Sequence, residues 1–591
     1  MSVVAQIKEV TARAIKELFN HELNANDVLV NATKPEFEGD YTIVLFAFVK
    51  QLKKSPDTLG NELGEYLIKN HSTIFSSFNI IKGFLNLAIT DYYWIEFLQS
   101  AYSNASFGIK EKNGQRVMVE YSSPNTNKPL HLGHLRNNFL GWSIAEILEV
   151  NGYDVIKTCI VNDRGIHICK SMIAWQLFAN GATPESTNTK GDHFVGDYYV
   201  KFNDELKKQV EELINKGIDK ETAEKEAPIM KAAQQMLIDW EAGKPDIIEL
   251  WKKMNSWVYA GFDATYKRIG SDFEKTYYES NTYLLGKDLV EEGLQKKVFY
   301  QKEDSSVWID LTKDGLDEKI VRRKDGTSVY ITQDIGLAEQ KQKEFNAQRS
   351  IYVVGDEQNY HFKVLKLICQ KLQLPSADGI YHLSYGMVEL PSGKMKSREG
   401  TVVDADDLVD EMINISKQKT AELGKVKDFT TDELNALYDT IGLGALKFFL
   451  LRVDPKKKMI FNPEESIDFH GFTGPFIQYT YARIKSILRK PEAISRESGV
   501  KNLLPLEKAL AIQLETFPAS IEESAAEYDP SKIAIYIFEL AKTFNSFYAE
   551  HSIANAETEE KKTVRLQLAQ LTAQVLETGI GLLGIKVPER M

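Results

Sequence analysis

The sequence predicts an α/β protein in three parts: a small α/β module, a parallel sheet with crossover helices, and an all-helical C-terminal region. Strand and helix patterns alternate over about 300 residues in the middle of the chain, the order that yields parallel strands joined by helices. One stretch, VMVEYSSPNTNKPLHLGHLRNNFLGWSIAEILEVNGYDVIKTCIVND, reads as a complete βαβ unit. After about residue 405 the strand signals vanish, and LNALYDTIGLGALKFFLL, PFIQYTYARIKSILRK and KIAIYIFELAKTFNSFYAEH are helix-periodic, as in a bundle.

Composition bounds the function classes. The 591 residues are 43% hydrophobic and 26% charged, which excludes a disordered, collagenous or fibrous chain. No run approaches eighteen apolar residues, so no contact with a membrane is expected. The N-terminus alternates charged and apolar residues at helical spacing and lacks the apolar core of a secretory signal, so a cytoplasmic location is expected. Cys159, Cys169 and Cys369 are scattered and form no C-x-x-C pair, which argues for buried thiols and against a structural metal. The net charge of −12 rules out an overall basic footprint, so any nucleic-acid partner must be held by local patches.

The elements follow in order. Residues 1–110 form the first module: an amphipathic helix from Val3 to Phe19, then apolar alternation in YTIVLFAFV and FNIIKGFLNLAI. Its first hundred residues carry nine Lys and Arg against twelve Asp and Glu, so it is no general polyanion grip. A charged linker, GIKEKNGQR, leads to a strand from Val117 to Ser123, a Pro-bracketed loop, a helix from about His131 to Val150 stopped by Gly152, and a second strand from Val155 to Val161. The parallel-sheet domain covers 115–405, interrupted at about 195–270 by charge-rich helices with Glu and Lys at i,i+4 spacing; these read as solvated helices inserted between sheet halves. The helical domain covers 406–591.

The chemistry concentrates at two loops. His131-Leu132-Gly133-His134 opens the helix of the βαβ unit, where a doubly wound sheet places a phosphate ligand. Two imidazoles three apart face one way in a first turn whose dipole is positive; Gly133 admits close approach of a nucleotide, and Lys128 adds a fixed charge. A lone His pair on a helix is more often a metal site or a surface accident, but metal binding usually wants a third ligand and i,i+4 spacing. About 260 residues on, MVELPSGKMKSREGTVV sets Lys394, Lys396 and Arg398 on a Gly-flanked loop, suited to a leaving pyrophosphate. Alone, that cluster reads as a solvated basic turn.

Together, in this order, the two loops resemble the HIGH and KMSKS signatures of class I aminoacyl-tRNA synthetases. The surrounding residues are similar to the arginyl-tRNA synthetases: EYSSPNTNKPLHLGHLR, VNDRGIHI, SVYITQDIG, YVVGDEQNYHF, GKMKSREG, QYTYARIKSILR and the C-terminal LLGIKVPERM. The resemblance runs from residue 120 to the end, and an extra N-terminal module is also a family feature. Two positions depart from it. Lys396 stands where a Ser is commoner, and His167 where relatives often carry Gln. Lys128 occupies the place of a lysine thought to substitute for the missing second lysine of the KMSKS loop.

The resemblance implies a Rossmann-type catalytic domain, an anticodon-binding bundle, and a two-step ligation. The arginine carboxylate attacks the α-phosphorus of ATP and expels pyrophosphate; the 3′-terminal ribose of the tRNA then takes the arginyl group. It implies Lys128, His131, Gly133, His134, Lys394 and Arg398 as catalytic, with Mg²⁺ bridging the phosphates and no metal held by the protein alone. ATP would further meet His361, Gly386, Met387, Val388 and Met395. A guanidinium has five fixed donors and needs carboxylates in its plane. Glu279, Asp334 and Tyr330 are implied to supply that contact, with Asn125 and Gln358 on the α-amino and carboxylate groups and Glu120 nearby. Tyr330 and Asp334 are four apart, so a helical turn would bring them together. In the bundle, Lys456 to Lys458 and a run of Arg483, Lys485, Arg489 and Lys490 are local basic patches; with Tyr479 and Tyr481 as stacking platforms, this second run is the expected tRNA contact. A stripe of tyrosines at that spacing is as often core. Arginine, ATP and the arginine tRNA are the implied partners of a monomer. The alternatives are a shorter HIGH-type nucleotidyltransferase and a non-catalytic tRNA-binding paralogue with damaged signature loops. A cysteine-specific relative would want metal-binding cysteines that are absent.

Overall fold

The computed structural model describes residues 2–391, 403–423, 428–489, 494–495 and 497–591. At its centre is a five-stranded parallel sheet. In spatial order its strands are Ile380–Tyr385, Arg349–Gly355, Arg116–Glu120, Asp154–Val161 and Lys275–Tyr278. The first strand in sequence thus lies in the middle, and the order reverses between it and Arg349–Gly355. Met118 and Val119, both fully buried, show why these strands are runs of apolar residues: helices cover both faces.

The helix Leu132–Val150 packs on the sheet with 14 of its 19 residues buried, including Arg136, Asn137 and Asn138. Gly141 lets it lie on Tyr121, since a Cβ there would stand 2.3 Å from the Tyr121 side chain. The insertion folds as four helices between Gly191 and Ile269, tightly joined where Gly191 meets the Trp257 carbonyl. A three-stranded antiparallel sheet, Tyr300–Gln301, Val307–Ile309 and Lys319–Arg322, follows before the helix Tyr330–Phe345. Nothing in the periodicity of the sequence announces it, because its strands are only two to four residues long.

The N-terminal module is a four-stranded antiparallel sheet with helices, among them Val3–Phe19 as expected. FNIIKGFLNLAI is a hairpin turning at Lys82 and Gly83, both at positive φ (+50° and +82°). In YTIVLFAFV only Tyr41–Val44 is a strand; the rest begins the helix Phe46–Leu52. The module docks on the C-terminal bundle: the Val3 amide donates to Glu515 at 2.6 Å, and Lys508 pairs with Asp40 at 2.9 Å. Among the described residues after 405, the one strand is Met459–Ile460, parallel to Val388–Glu389. The helix Thr431–Leu451 is long and apolar enough to cross a membrane, yet its apolar stretch is 67% buried, packed on Leu132–Val150 and the bundle helix Gly474–Leu488.

Candidate active site

The strand order reverses between Arg116–Glu120 and Arg349–Gly355, and in an open α/β sheet the ligand crevice is expected outside the carboxyl ends of such a pair. The strand expected to reach Ser123 stops at Glu120, because Ser122 turns to φ +62°. That conformation costs a non-glycine residue about 1–3 kcal/mol and must be held from outside. Asn137 and Asn138 hold it. Asn137 accepts from the Ser122 amide at 2.6 Å and donates to the Val353 carbonyl at 2.7 Å, while Asn138 donates to the Ser122 hydroxyl at 3.2 Å. One helix thereby fixes the ends of both strands.

The loop after Ser122 delivers Lys128 and His131, with His131 as the helix N-cap. Its Nδ1 accepts from the Gly133 amide at 3.1 Å, and its own amide donates to Nδ1 of His134 at 3.1 Å. With Nδ1 accepting in each ring, each proton sits on Nε2. Burial pushes His131 down to about 3 and His134 well below its usual value; Lys128 adds to both shifts, and His131 to that of His134. Burial also lowers Lys128. The rings, 3.9 Å apart, are therefore neutral Nε2–H donors beside one lysine at a helix N-terminus, an arrangement suited to phosphoryl oxygens. A Cβ on Gly133 would lie 3.0 Å from the His131 ring, so this glycine first of all admits the capping imidazole.

Val403–Ala405, the described stretch following the basic loop, pairs with the signature: the Leu132 amide donates to the Val403 carbonyl at 3.2 Å, and the Ala405 amide to Leu130 at 3.0 Å. Lys394, Met395 and Arg398 lie outside the described residues.

A further cavity of about 680 Å³ is lined in part by Arg164, Glu279, Tyr283 and Tyr330. Glu279 starts the short helix Glu279–Thr282. Buried Asp163 fixes that start, accepting from the Ser280 amide at 2.8 Å, the Ser280 hydroxyl at 2.7 Å and the Tyr259 hydroxyl at 2.8 Å. Arg164 is already engaged, stacked on Tyr283 and Trp240 and paired with Glu241 at 2.9 Å. Glu279 has no hydrogen-bond or ion-pair partner among the described residues. Burial pushes its carboxyl up to about 7, against the pull of Arg164 and helped by Asp163 and Asp334. Tyr330, 72% exposed, and Asp334 lie one turn apart on the helix Tyr330–Phe345, as expected.

The other implied contacts fall as follows. His361 donates from Nε2 to Asp334 at 2.6 Å, which sets it beside the acidic group rather than apart from it. Asn125 is exposed and bridges to Asn162, and Gln358 is exposed at the end of the turn Asp356–Gln358. Glu120 is buried in an ion pair with buried Lys341, 3.4 Å from the Thr158 hydroxyl, so its carboxylate is used inside the sheet. Met387 approaches Gly355, and Val388 is buried. Gly386 packs on the backbone of Lys457, where a Cβ would stand at 2.6 Å, and donates to the Pro455 carbonyl at 2.9 Å; Arg136 donates to Pro455 and Lys457 from the other side. In the bundle, Tyr481 is 2% exposed with its hydroxyl on Glu577 at 2.9 Å, a core residue with no face for a base, which corrects the stacking expected of it. Tyr479 is half-buried under the Arg483 guanidinium, Arg483 donates to Asn545 at 2.6 Å, and Arg489 is exposed and donates to the Glu589 carbonyl. Lys490 lies outside the described residues. Asn137, Asn138, Asp163 and Arg164 are not among the residues the sequence singles out. The signal available was position: the asparagines follow His134 by one turn, and Asp163-Arg164 come just after the second strand of the βαβ unit, which ends at Val161.

Three family descriptions match the chain: tRNA synthetases class I (R), catalytic domain, over residues 97–462; DALR anticodon binding domain over 477–591; and arginyl tRNA synthetase N terminal domain over 5–89. The chain is 53% identical to an arginine–tRNA ligase of Flavobacterium psychrophilum and 52% identical to one of Bacteroides fragilis, each over 98% of both chains. Its fold matches the structure of Thermus thermophilus arginyl-tRNA synthetase with a TM-score of 0.81 at 24% identity, covering 100% of both chains. It matches that of Plasmodium falciparum with 0.78 at 19% identity, covering 100% of this chain and 99% of the other.

Proposed function

Because the chain belongs to the class I arginyl-tRNA synthetases, we propose that the crevice holds ATP and arginine side by side, with the triphosphate on Lys128, His131 and His134 and the guanidinium on Glu279, Asp334 and Tyr330. The enzyme is an arginine–tRNA ligase: it activates L-arginine with ATP to arginyl-adenylate and pyrophosphate, then transfers arginine to the 3′ end of its tRNA. Neither step needs a protein nucleophile, so positioning and charge neutralisation supply the acceleration.

The carrying observation is Glu279, a half-buried carboxylate without a hydrogen-bond or ion-pair partner among the described residues, in a cavity whose own arginine is already stacked and paired. A second guanidinium entering there finds one free carboxylate and the oxygen of Asp334 not taken by His361. Asn125 and Gln358, both exposed, meet the α-amino and carboxylate groups of arginine. The Nε2–H groups of His131 and His134 donate to oxygens of the α-phosphoryl region, whose charge grows in the transition state. Lys128 neutralises the β,γ-phosphates with Lys394 and Arg398, and Mg²⁺ enters with ATP as its counter-ion. Glu120 takes a supporting role, holding Lys341 beneath the crevice floor. Half-buried Arg483 on the bundle helix Gly474–Leu488 and exposed Arg489 just past its end face the tRNA, and the acidic N-terminal module makes few, shape-based contacts with it. The active species is a monomer.

ATP–pyrophosphate exchange with variants separates the two halves. Lys128→Met should raise KM for ATP and leave that for arginine; Asp334→Asn should do the reverse. Equal effects of both on ATP would refute the arginine placement.

A further inference from the structure

The bridge between Val403–Ala405 and Leu130–Leu132 determines where Lys128 and His131 stand, and a cluster from the helical insertion grips one side of it. Lys190 donates to Asp406 at 2.7 Å, to Asp192 at 3.0 Å and to the Thr265 hydroxyl at 2.5 Å. His193 Nε2 lies 3.3 Å from a carboxylate oxygen of Asp404 and of Asp406. Asp404 in turn caps the helix Ala405–Leu423, accepting from the Asp406 amide at 2.8 Å, and its backbone bridges directly to His131. The cluster is built into the packing: Asp192 is fully buried where a Cβ on Gly261 would stand 2.3 Å from its carboxylate. Lys128, His131, His193 and Asp404 line one cavity of about 300 Å³. Asp192, His193 and Asp406 are close enough to share a metal ion, but the Lys190 ammonium stands between the two carboxylates and supplies the positive charge itself.

We propose that Lys190, His193 and Asp406 are positioning residues for the ATP half of the reaction: they clamp the Val403–Ala405 stretch to the insertion helix, so that its bridge to Leu130–Leu132 holds Lys128 and His131 in register with the triphosphate. The inference rests on the assignment of Lys128 and His131 to ATP. None of the three residues lines the cavity that holds Glu279 and Tyr330, so the clamp acts on the ATP side alone. A displacement near 1 Å at a catalytic group costs up to about a hundredfold in rate, so a loosened clamp is visible in kinetics without unfolding the chain.

The test uses the full-length protein in ATP–pyrophosphate exchange with tRNA present, with KM and kcat resolved for ATP and for arginine, and the folded fraction followed by circular dichroism. Asp406→Asn and His193→Ala should each lower kcat/KM for ATP by about tenfold or more, with KM for arginine and the folded fraction unchanged. His193→Gln, which keeps a donor near the Nε2 position, should recover most of the loss. The pair Lys190→Met and Asp406→Asn should be less than multiplicative, because both break the same contact. His131→Ala serves as the reference. If it impairs ATP use while the clamp variants do not, or if the clamp variants lower both substrates' parameters in step with the folded fraction, the clamp is refuted and the ATP assignment stands. If His131→Ala leaves ATP use unchanged, the assignment itself fails and the clamp with it.

Discussion

On the proposed placement of arginine, replacing Glu279 by Gln removes the charge that the guanidinium would meet and should also abolish a pH dependence of arginine binding. With its carboxyl at about 7 in the free enzyme, Glu279 is about nine-tenths ionised at pH 8 and about one-tenth at pH 6, and only the ionised form pairs with the ligand. A raised carboxyl is neutral below its pKa and a guanidinium favours the charged form, so affinity climbs with pH and levels off above about 7. Between pH 8 and pH 6 the Kd for arginine should rise roughly tenfold, with nearly one proton released per arginine bound at pH 6. The E279Q variant loses a charge-assisted hydrogen bond of about 1.5–3 kcal/mol, roughly 10- to 150-fold in Kd at pH 8, and its Kd should be flat across the same range. Isothermal calorimetry in two buffers of different ionisation enthalpy reads both the affinity and the proton count. A wild-type Kd that does not change between pH 6 and pH 8, or an E279Q variant that keeps the slope, would refute the reasoning.

Further outcomes follow from the same geometry. Removing one preorganised donor with His134→Ala should slow pyrophosphate exchange by about 10²–10³-fold. Because His131 and His134 both stay neutral, the wild-type kcat/KM profile for ATP should show no limb near pH 6.5 from either ring. Lys341→Met strands the buried carboxylate of Glu120 and should cost about 3–5 kcal/mol in urea unfolding, whereas replacing both partners by apolar groups should cost much less. Burial raises all three thiols, Cys169 and Cys369 to about 12 and Cys159 further, so a thiol reagent should leave the native protein unmodified and titrate three groups once it is unfolded.

The parts of the fold with long, strongly periodic segments were legible in the sequence. The helix Val3–Phe19, the strand–helix–strand unit around His131 and the helical C-terminal region follow from apolar spacing and from the residues that start and stop helices. The short sheet Tyr300–Arg322 was not, because two to four residues carry no period. At the site, residue types and chain order announced His131, His134 and the turn joining Tyr330 to Asp334, since both depend on neighbours in the chain. Interactions between distant residues left no local trace. His361 meets Asp334 across 27 positions, Glu120 meets Lys341 across 221, and Lys190 meets Asp406 across 216. Tyr481 shows the same limit in reverse: its spacing fits a stacking platform and a bundle core equally, and only the partner Glu577 on a distant helix decides for the core.

The most direct measurement is charging of total tRNA with each of the twenty amino acids in the presence of ATP and Mg²⁺, with pyrophosphate exchange run beside it, with and without tRNA. Esterification of arginine alone, abolished by Glu279→Gln at low arginine and restored at high arginine, is the predicted result. A protein that binds tRNA yet charges it with no amino acid, or that charges another amino acid as readily, would contradict the account.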